Sequence, residues 1–175
     1  MTPQATLPEQ AWAHKTGKID LGPQRPIPAA SDPLDRLAIA EAFSRFGIAH
    51  DEARLDILAT CFTADAVLEV VEGSAEPLAL MEGREAILAG IGSVITQQQD
   101  QRRHCMANVV IDRLDGEEAR ALAYGFVSVA ADGLSLGASV VYSGDLRREA
   151  DGAWRFTRFL IGMDNYAGQK PEPNA

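Results

Sequence analysis

The sequence predicts an α+β domain: a curved antiparallel sheet closing into a cone, covered on its concave face by three N-terminal helices. Three observations predict it. In the first part of the chain, apolar residues recur every three or four positions, the period of a helix with one buried face. Four β-rich segments follow (103–114, 118–131, 136–148 and 153–166), separated by Asp115-Gly116, Asp132-Gly133 and Asp151-Gly152. Each Asp-Gly pair is a hairpin signal, because glycine accepts a positive φ at no steric cost, so the four segments read as a meander. Helices first and strands afterwards is the order of an α+β layer arrangement.

A length of 175 residues with 46% apolar content supports one core and not two. Residues 1–30 carry Pro3, Pro8, Pro23, Pro26 and Pro28 and little periodicity, so they are expected to form an extended or disordered arm. Trp12 stands out there, because a tryptophan in such an arm packs either on its own domain or on a neighbouring subunit, which makes the arm a candidate oligomer clasp. The domain proper spans 31–168, and 169–175 is a tail. Ser31-Asp32-Pro33 supplies a helix cap and a proline where no amide hydrogen is needed. Leu34, Leu37, Ala38, Ala42, Phe43 and Phe46 then form the expected inner stripe of a helix running to Asp51. A second helix is expected over 53–61, a turn at Thr63-Ala64-Asp65, a strand over 66–71, a short strand over 78–82, and a third helix from Gly83 through Ile95. Residues 97–103 read as a solvated loop, and Trp154 and Phe156 as core.

A formal charge of −9 argues against nucleic acid or an anionic membrane as partner, because the summed field repels both. An electroneutral, apolar small molecule is left open. No apolar run approaches the roughly 18–20 residues of a membrane span and residues 1–21 lack the apolar block of a signal peptide, so a cytoplasmic location is expected. In that compartment Cys61 and Cys105 read as two buried free thiols and not as a bridge. No cysteine or histidine spacing suggests zinc, and no phosphate loop or dinucleotide fingerprint is present, so neither metal nor organic cofactor is expected.

Three strings carry a resemblance: Ile48-Ala49-His50-Asp51 followed by 58–66, then Arg103-His104-Cys105-Met106-Ala107-Asn108, then Asp151-Gly152-Ala153-Trp154-Arg155-Phe156. In this order and spacing they resemble the SnoaL-like group of the nuclear transport factor 2-like superfamily, over residues 32–166. The resemblance implies a cone-shaped fold with a deep apolar pocket, but the superfamily spans several chemistries, so fold does not settle function. The pattern is most similar to scytalone dehydratases and hexachlorocyclohexane dehydrochlorinases. That likeness implies an aspartate at the end of the first helix, Asp51, orienting a histidine on the first long strand, His104. Their polar helpers are not retained: Phe46 stands where the dehydrochlorinases carry a lysine, and His50 where the scytalone dehydratases carry a tyrosine.

A neutral imidazole can take a proton near neutral pH, and a buried carboxylate on its other nitrogen fixes the tautomer and stabilises the imidazolium. Asp51 and His104 are therefore the candidate catalytic pair. The plainer alternative has Asp51 capping the next helix and His104 bonded to backbone. Phe43, Phe46, Met106 and Val110 are the expected pocket wall, with Asn108 on the His104 face by the two-residue period of a strand. His50 is either a second pocket contact or a surface residue, since neighbours on a helix lie about 100° apart. Tyr124, Tyr142, Asn108 and Ser143 are candidate proton donors. Tyr142 and Ser143 face opposite ways, and the resemblance favours Ser143. The expected activity is that of a cofactor-independent, dehydratase-like lyase or an isomerase on an apolar cyclic molecule, in a homodimer or homotrimer. The alternative is a non-catalytic ligand binder or the small subunit of a ring-hydroxylating oxygenase.

Overall fold

A computed structural model describes residues 12–24, 26–27 and 32–164. Ser31, the distal arm and the 169–175 tail lie outside the described residues. The elements run α1 (Trp12–Lys15), α2 (Pro33–Asp51), α3 (Leu55–Cys61), β1 (Phe62–Glu72), β2 (Pro77–Glu82), α4 (Arg84–Gln97), β3 (Gln101–Asp115), β4 (Glu118–Ala131), β5 (Gly133–Arg148) and β6 (Trp154–Met163). The six strands form one curved open sheet in the order β2-β1-β6-β5-β4-β3. The β3–β6 meander is antiparallel as expected, and its three turn glycines, Gly116, Gly133 and Gly152, all have positive φ. The sheet is not antiparallel throughout, because β1 joins β6 in parallel. Thr63-Ala64-Asp65 is correspondingly not a turn but part of β1, and residues 101–103, expected in a loop, already belong to β3.

Helix α2 begins where Asp32 accepts the Leu34 N–H at 2.9 Å, with Pro33 in the first turn. Its buried stripe is Ile39, Ala42, Phe43, Phe46, Gly47 and Ala49. Leu34 and Leu37 are exposed, contrary to expectation. At about 100° per residue Leu37 lies roughly 140° round from Ala42, so a three-residue spacing alone placed it on the wrong face. The stripe packs on the concave side of the sheet, where Phe43, Phe46, Phe62, Tyr142, Phe156 and Phe159 form a fully buried aromatic cluster. Phe159 is its hub, with ring centroids 4.7 Å from Phe46 and 4.3 Å from Phe156, and with the Tyr142 ring stacked at 5.6 Å. Trp154 is buried beside them and donates its indole N–H to Asp35 at 2.8 Å.

Part of the arm is structured on its own domain. The Trp12 indole N–H donates to Asp164 at 2.7 Å, its ring lies over Gly162, and Lys18 and Arg158 both pair with the buried Glu69. The clasp expected of Trp12 is therefore made within the chain. Cys61 and Cys105 are free, as expected, but only Cys61 is buried, because Cys105 points to the outer face of β3. No helix among the described residues is long and apolar enough to cross a membrane.

One close approach sets the geometry that follows. Gly47 faces β3, and a Cβ there would meet His104 Cβ at 3.0 Å and Met106 Cε at 3.3 Å. A helix-interior glycine costs about 1 kcal/mol relative to alanine, and here it lets the last turns of α2 sit directly on β3. Gly47→Val is expected to destabilise the fold by about 1–3 kcal/mol in urea unfolding, through overpacking that nearby backbone cannot relieve. An unchanged midpoint would mean that the helix does not bear on the strand.

Candidate active site

The aromatic cluster holds α2 so that its final turn presents His50 and Asp51 to β3. The helix ends at Asp51, and the chain turns away through Ala53, one of two described non-glycine residues with positive φ. Asp51 makes a two-point contact: Oδ2 accepts the His104 backbone N–H at 2.7 Å, and Oδ1 lies 2.5 Å from His104 Nδ1. The Asp51 side chain is only 4% exposed and that of His104 12%. Asp51 does not cap α3, whose N-cap residue is Arg54 without a side-chain cap. With Nδ1 turned to a carboxylate, the ring donates its Nδ1 proton there and leaves Nε2 as the acceptor nitrogen.

His104 borders a cavity of about 390 Å³. Its walls follow the two-residue period of the strands: Leu68 and Val70 from β1, Val127 and Val129 from β4, Val140 and Tyr142 from β5, Ile161 and Met163 from β6. Ile91 and Val94 of α4 close another side. The polar members that could meet a ligand in this otherwise aliphatic space are His50, Arg102, His104 and Tyr142.

Each polar member has a definite state. His50 is the neighbour of Asp51 on the helix, yet its ring centroid lies 4.6 Å from that of His104. Its Nδ1 is 4.0 Å from Asp51 Oδ1, beyond hydrogen-bond reach, and is buried without a partner. Burial, and then the positive charge available to His104, push the His50 pKa down to about 4 despite Asp51, so this imidazole is neutral at pH 7. Tyr142 is raised well above the usual phenol range by burial and by the Asp51 charge, and keeps its proton. Its ring lies across Gly125, where a Cβ would meet it at 2.5 Å. Arg102, on the same strand face as His104, is held by Asp100 at 2.9 and 3.3 Å.

The structure brings together Asp51, His104, His50, Phe46 and Tyr142 from the sequence expectation, and places six other expected residues elsewhere. Phe43 is one turn too early and packs edge-on against Phe156 in the core. Met106 shares the His104 face but lies beneath Gly47. Asn108 is exposed, with φ of 51°, at a bulge between Ala107 and Val110. The bulge adds a residue and exchanges the faces, so Val109 and Ile111 turn inward while Val110, expected in the wall, is exposed. Tyr124 is 48% exposed on the outer face. Ser143 lines a separate outer cleft with Lys18, Glu69 and Arg158, because its neighbour Tyr142 takes the inward position. Sequence reasoning missed Arg102, which the same period-two rule from His104 would have found, and named Tyr142 as a candidate donor while favouring Ser143 over it.

The His50 shift has a signed consequence. Between pH 4 and 6.5 the unfolded chain binds a proton at this ring and the folded chain does not. The stability contributed by the neutral ring is thus complete above about pH 6.5 and is lost as pH falls towards 4. At about 1.4 kcal/mol per pKa unit, the effect is on the order of 3 kcal/mol at most. In urea unfolding across this range, His50→Gln is expected to flatten the slope of stability against pH; an unaltered slope would contradict the buried, neutral assignment.

No curated protein matches the chain. Among solved structures, a Nostoc punctiforme protein of unknown function with a cystatin-like fold superposes with a TM-score of 0.67 at 22% identity, over 76% of this chain and 93% of that one. The β subunit of a candidate aromatic-ring-hydroxylating dioxygenase from Novosphingobium aromaticivorans gives 0.66 at 19% identity, over 75% and 90%. A Catenulispora acidiphila protein in complex with S-DNPA gives 0.64 at 26% identity, over 75% and 95%. The model of the SnoaL-like domain family matches residues 32–159, so α2, α3, α4, the strands β1 to β5, the first part of β6 and the Asp51–His104 pair fall inside the match, and the chain belongs to that family.

Proposed function

We propose that this protein is a cofactor-independent, dehydratase-like lyase or an isomerase acting on an apolar cyclic small molecule, with His104 as general base and Asp51 as the residue that orients it. The observation that supports this reading most is the 2.5 Å approach of Asp51 Oδ1 to His104 Nδ1 at the wall of an aliphatic cavity. With Nδ1 committed to the carboxylate, Nε2 takes a proton from a substrate carbon. The electron pair of that C–H bond forms a C=C bond as the C–O bond breaks, and the leaving hydroxyl departs as water with the proton that the imidazolium returns. In the isomerase variant the imidazolium returns the proton to a different carbon. Asp51 stabilises the imidazolium in either case. The aliphatic lining of the cavity lowers the local polarity and so strengthens that electrostatic coupling.

Tyr142 and neutral His50 are the groups that fit the role of hydrogen-bond donor to a departing or developing oxygen, in place of Asn108, Tyr124 and Ser143. Phe46 reaches the cavity as an apolar wall only. The second reading, a ligand binder or oxygenase small subunit in place of a homodimeric or homotrimeric enzyme, draws support from Tyr124 and Phe126, which are exposed on a part of the sheet's outer face.

A panel of cyclic apolar hydroxyketones and enones in D₂O tests the reading. Deuterium uptake at carbon or loss of water is expected with the native chain. Asp51→Asn and His104→Ala are expected to reduce it by about 10²–10⁴-fold, the range for losing a general base or its orienter. Binding across the panel with no exchange or elimination favours the binder, and turnover insensitive to both substitutions removes His104 as the base.

A further inference from the structure

The proposed chemistry leaves the buried His50 Nδ1 unused and unbonded, a group whose isolation costs about 1–3 kcal/mol. It sits in a particular company. One donor atom each from His50, Asp51 and His104 lies within 4.8 Å of the others. Two imidazoles and one carboxylate are the donor set of the facial triads that hold divalent first-row transition metals, with other coordination positions left to water or ligand.

We propose that His50, Asp51 and His104 form a binding site for a divalent transition cation, and that the cation competes with the Asp51–His104 hydrogen bond. The competition follows from distances. Donors around such a cation, each about 2.1 Å from it, stand about 3 Å apart. Asp51 Oδ1 and His104 Nδ1 at 2.5 Å are too close to ligate together, and Asp51 Oδ1 and His50 Nδ1 at 4.0 Å are too far apart. Loading the site opens the first pair by about half an ångström and closes the second by about one, both within side-chain reach. Asp51 need not release the backbone, because Oδ2 keeps the His104 N–H while Oδ1 turns to the metal. The His104 ring changes tautomer as Nδ1 becomes a ligand: its proton passes to Nε2, which is then no longer free to accept one. Arg102 is the nearby opposing charge, and its bond to Asp100 offsets it. Cys105 lies on the outer face of β3 and does not contribute. This inference goes beyond the proposed activity: the loaded chain has no oriented base, so the cation is an inhibitor of it.

Zn²⁺ added to the chelator-treated full chain, followed by calorimetry and by the ring resonances of the protein's three histidines, tests the site without a substrate. One equivalent is expected to bind in the micromolar range or tighter, shifting the rings of His50 and His104 and not that of His14. His50→Gln, folded by circular dichroism, is expected to weaken binding at least tenfold, the lower end of what losing even an outer-shell partner costs. Perturbation of His14 alone, no binding below millimolar Zn²⁺, or unchanged affinity in His50→Gln overturns the proposal; the wild-type spectra decide it if the variant does not fold. Zn²⁺ binding at these rings in a chain that turns over nothing supports the cation site and leaves the dehydratase reading to fail by itself.

Discussion

The contact between Asp51 and His104 joins two elements separated by 53 residues in sequence, and nearly every other feature of the domain serves to make it possible. A carboxylate and an imidazole meet at 2.5 Å only if the end of α2 is fixed against β3 both along and across the strand. The aromatic cluster around Phe159 fixes the helix along its length, and Gly47 sets how near it comes. The second hydrogen bond, from the His104 backbone N–H to Oδ2, then fixes the carboxylate itself, so that it has one orientation to offer the ring. Because the backbone and the ring of one residue are held by one carboxylate, a shift of the helix would break both bonds together.

The polar groups of the cavity are few, and their neighbours hold them in complementary states. Burial removes the charge from His50 and preserves the proton of Tyr142. Behind the cavity wall, the buried Asp51 carboxylate is matched by two donors from His104. With Arg102 tied to Asp100, an apolar wall around one oriented base and two neutral donors suits proton transfer at carbon, and this is what favours the proposed lyase or isomerase reading. The unbonded Nδ1 of His50 is the exception to this economy, and a polar atom buried at a cost calls for a role.

Much of this was legible in the sequence. The cap at Asp32 and Pro33, the three Asp-Gly turns and the helical period through Phe46 locate α2 and the meander to within about three residues. The pairing of Asp51 with His104 came from family likeness and not from periodicity, since nothing local links residues 53 positions apart. What could not be read was whatever depends on strand register. The bulge at Asn108 reverses the faces of β3 beyond it, which misplaced Asn108 and Val110. At Tyr142 and Ser143 the alternation was right but the choice between faces was not, because that choice is made by Gly125 on the neighbouring strand. The parallel β1–β6 pairing is likewise invisible to turn signals, since no hairpin joins the two strands.

The account rests on Asp51 holding His104 in one tautomer, with the proton on Nδ1 and Nε2 free. Histidine-selective ¹⁵N NMR of the ligand-free protein, at neutral pH and with metal removed, measures this directly. The account predicts an Nδ1–H resonance for His104, strongly deshielded by the carboxylate and lost in Asp51→Asn. A His104 ring protonated at Nε2 alone, or one whose spectrum is unmoved by Asp51→Asn, would contradict it.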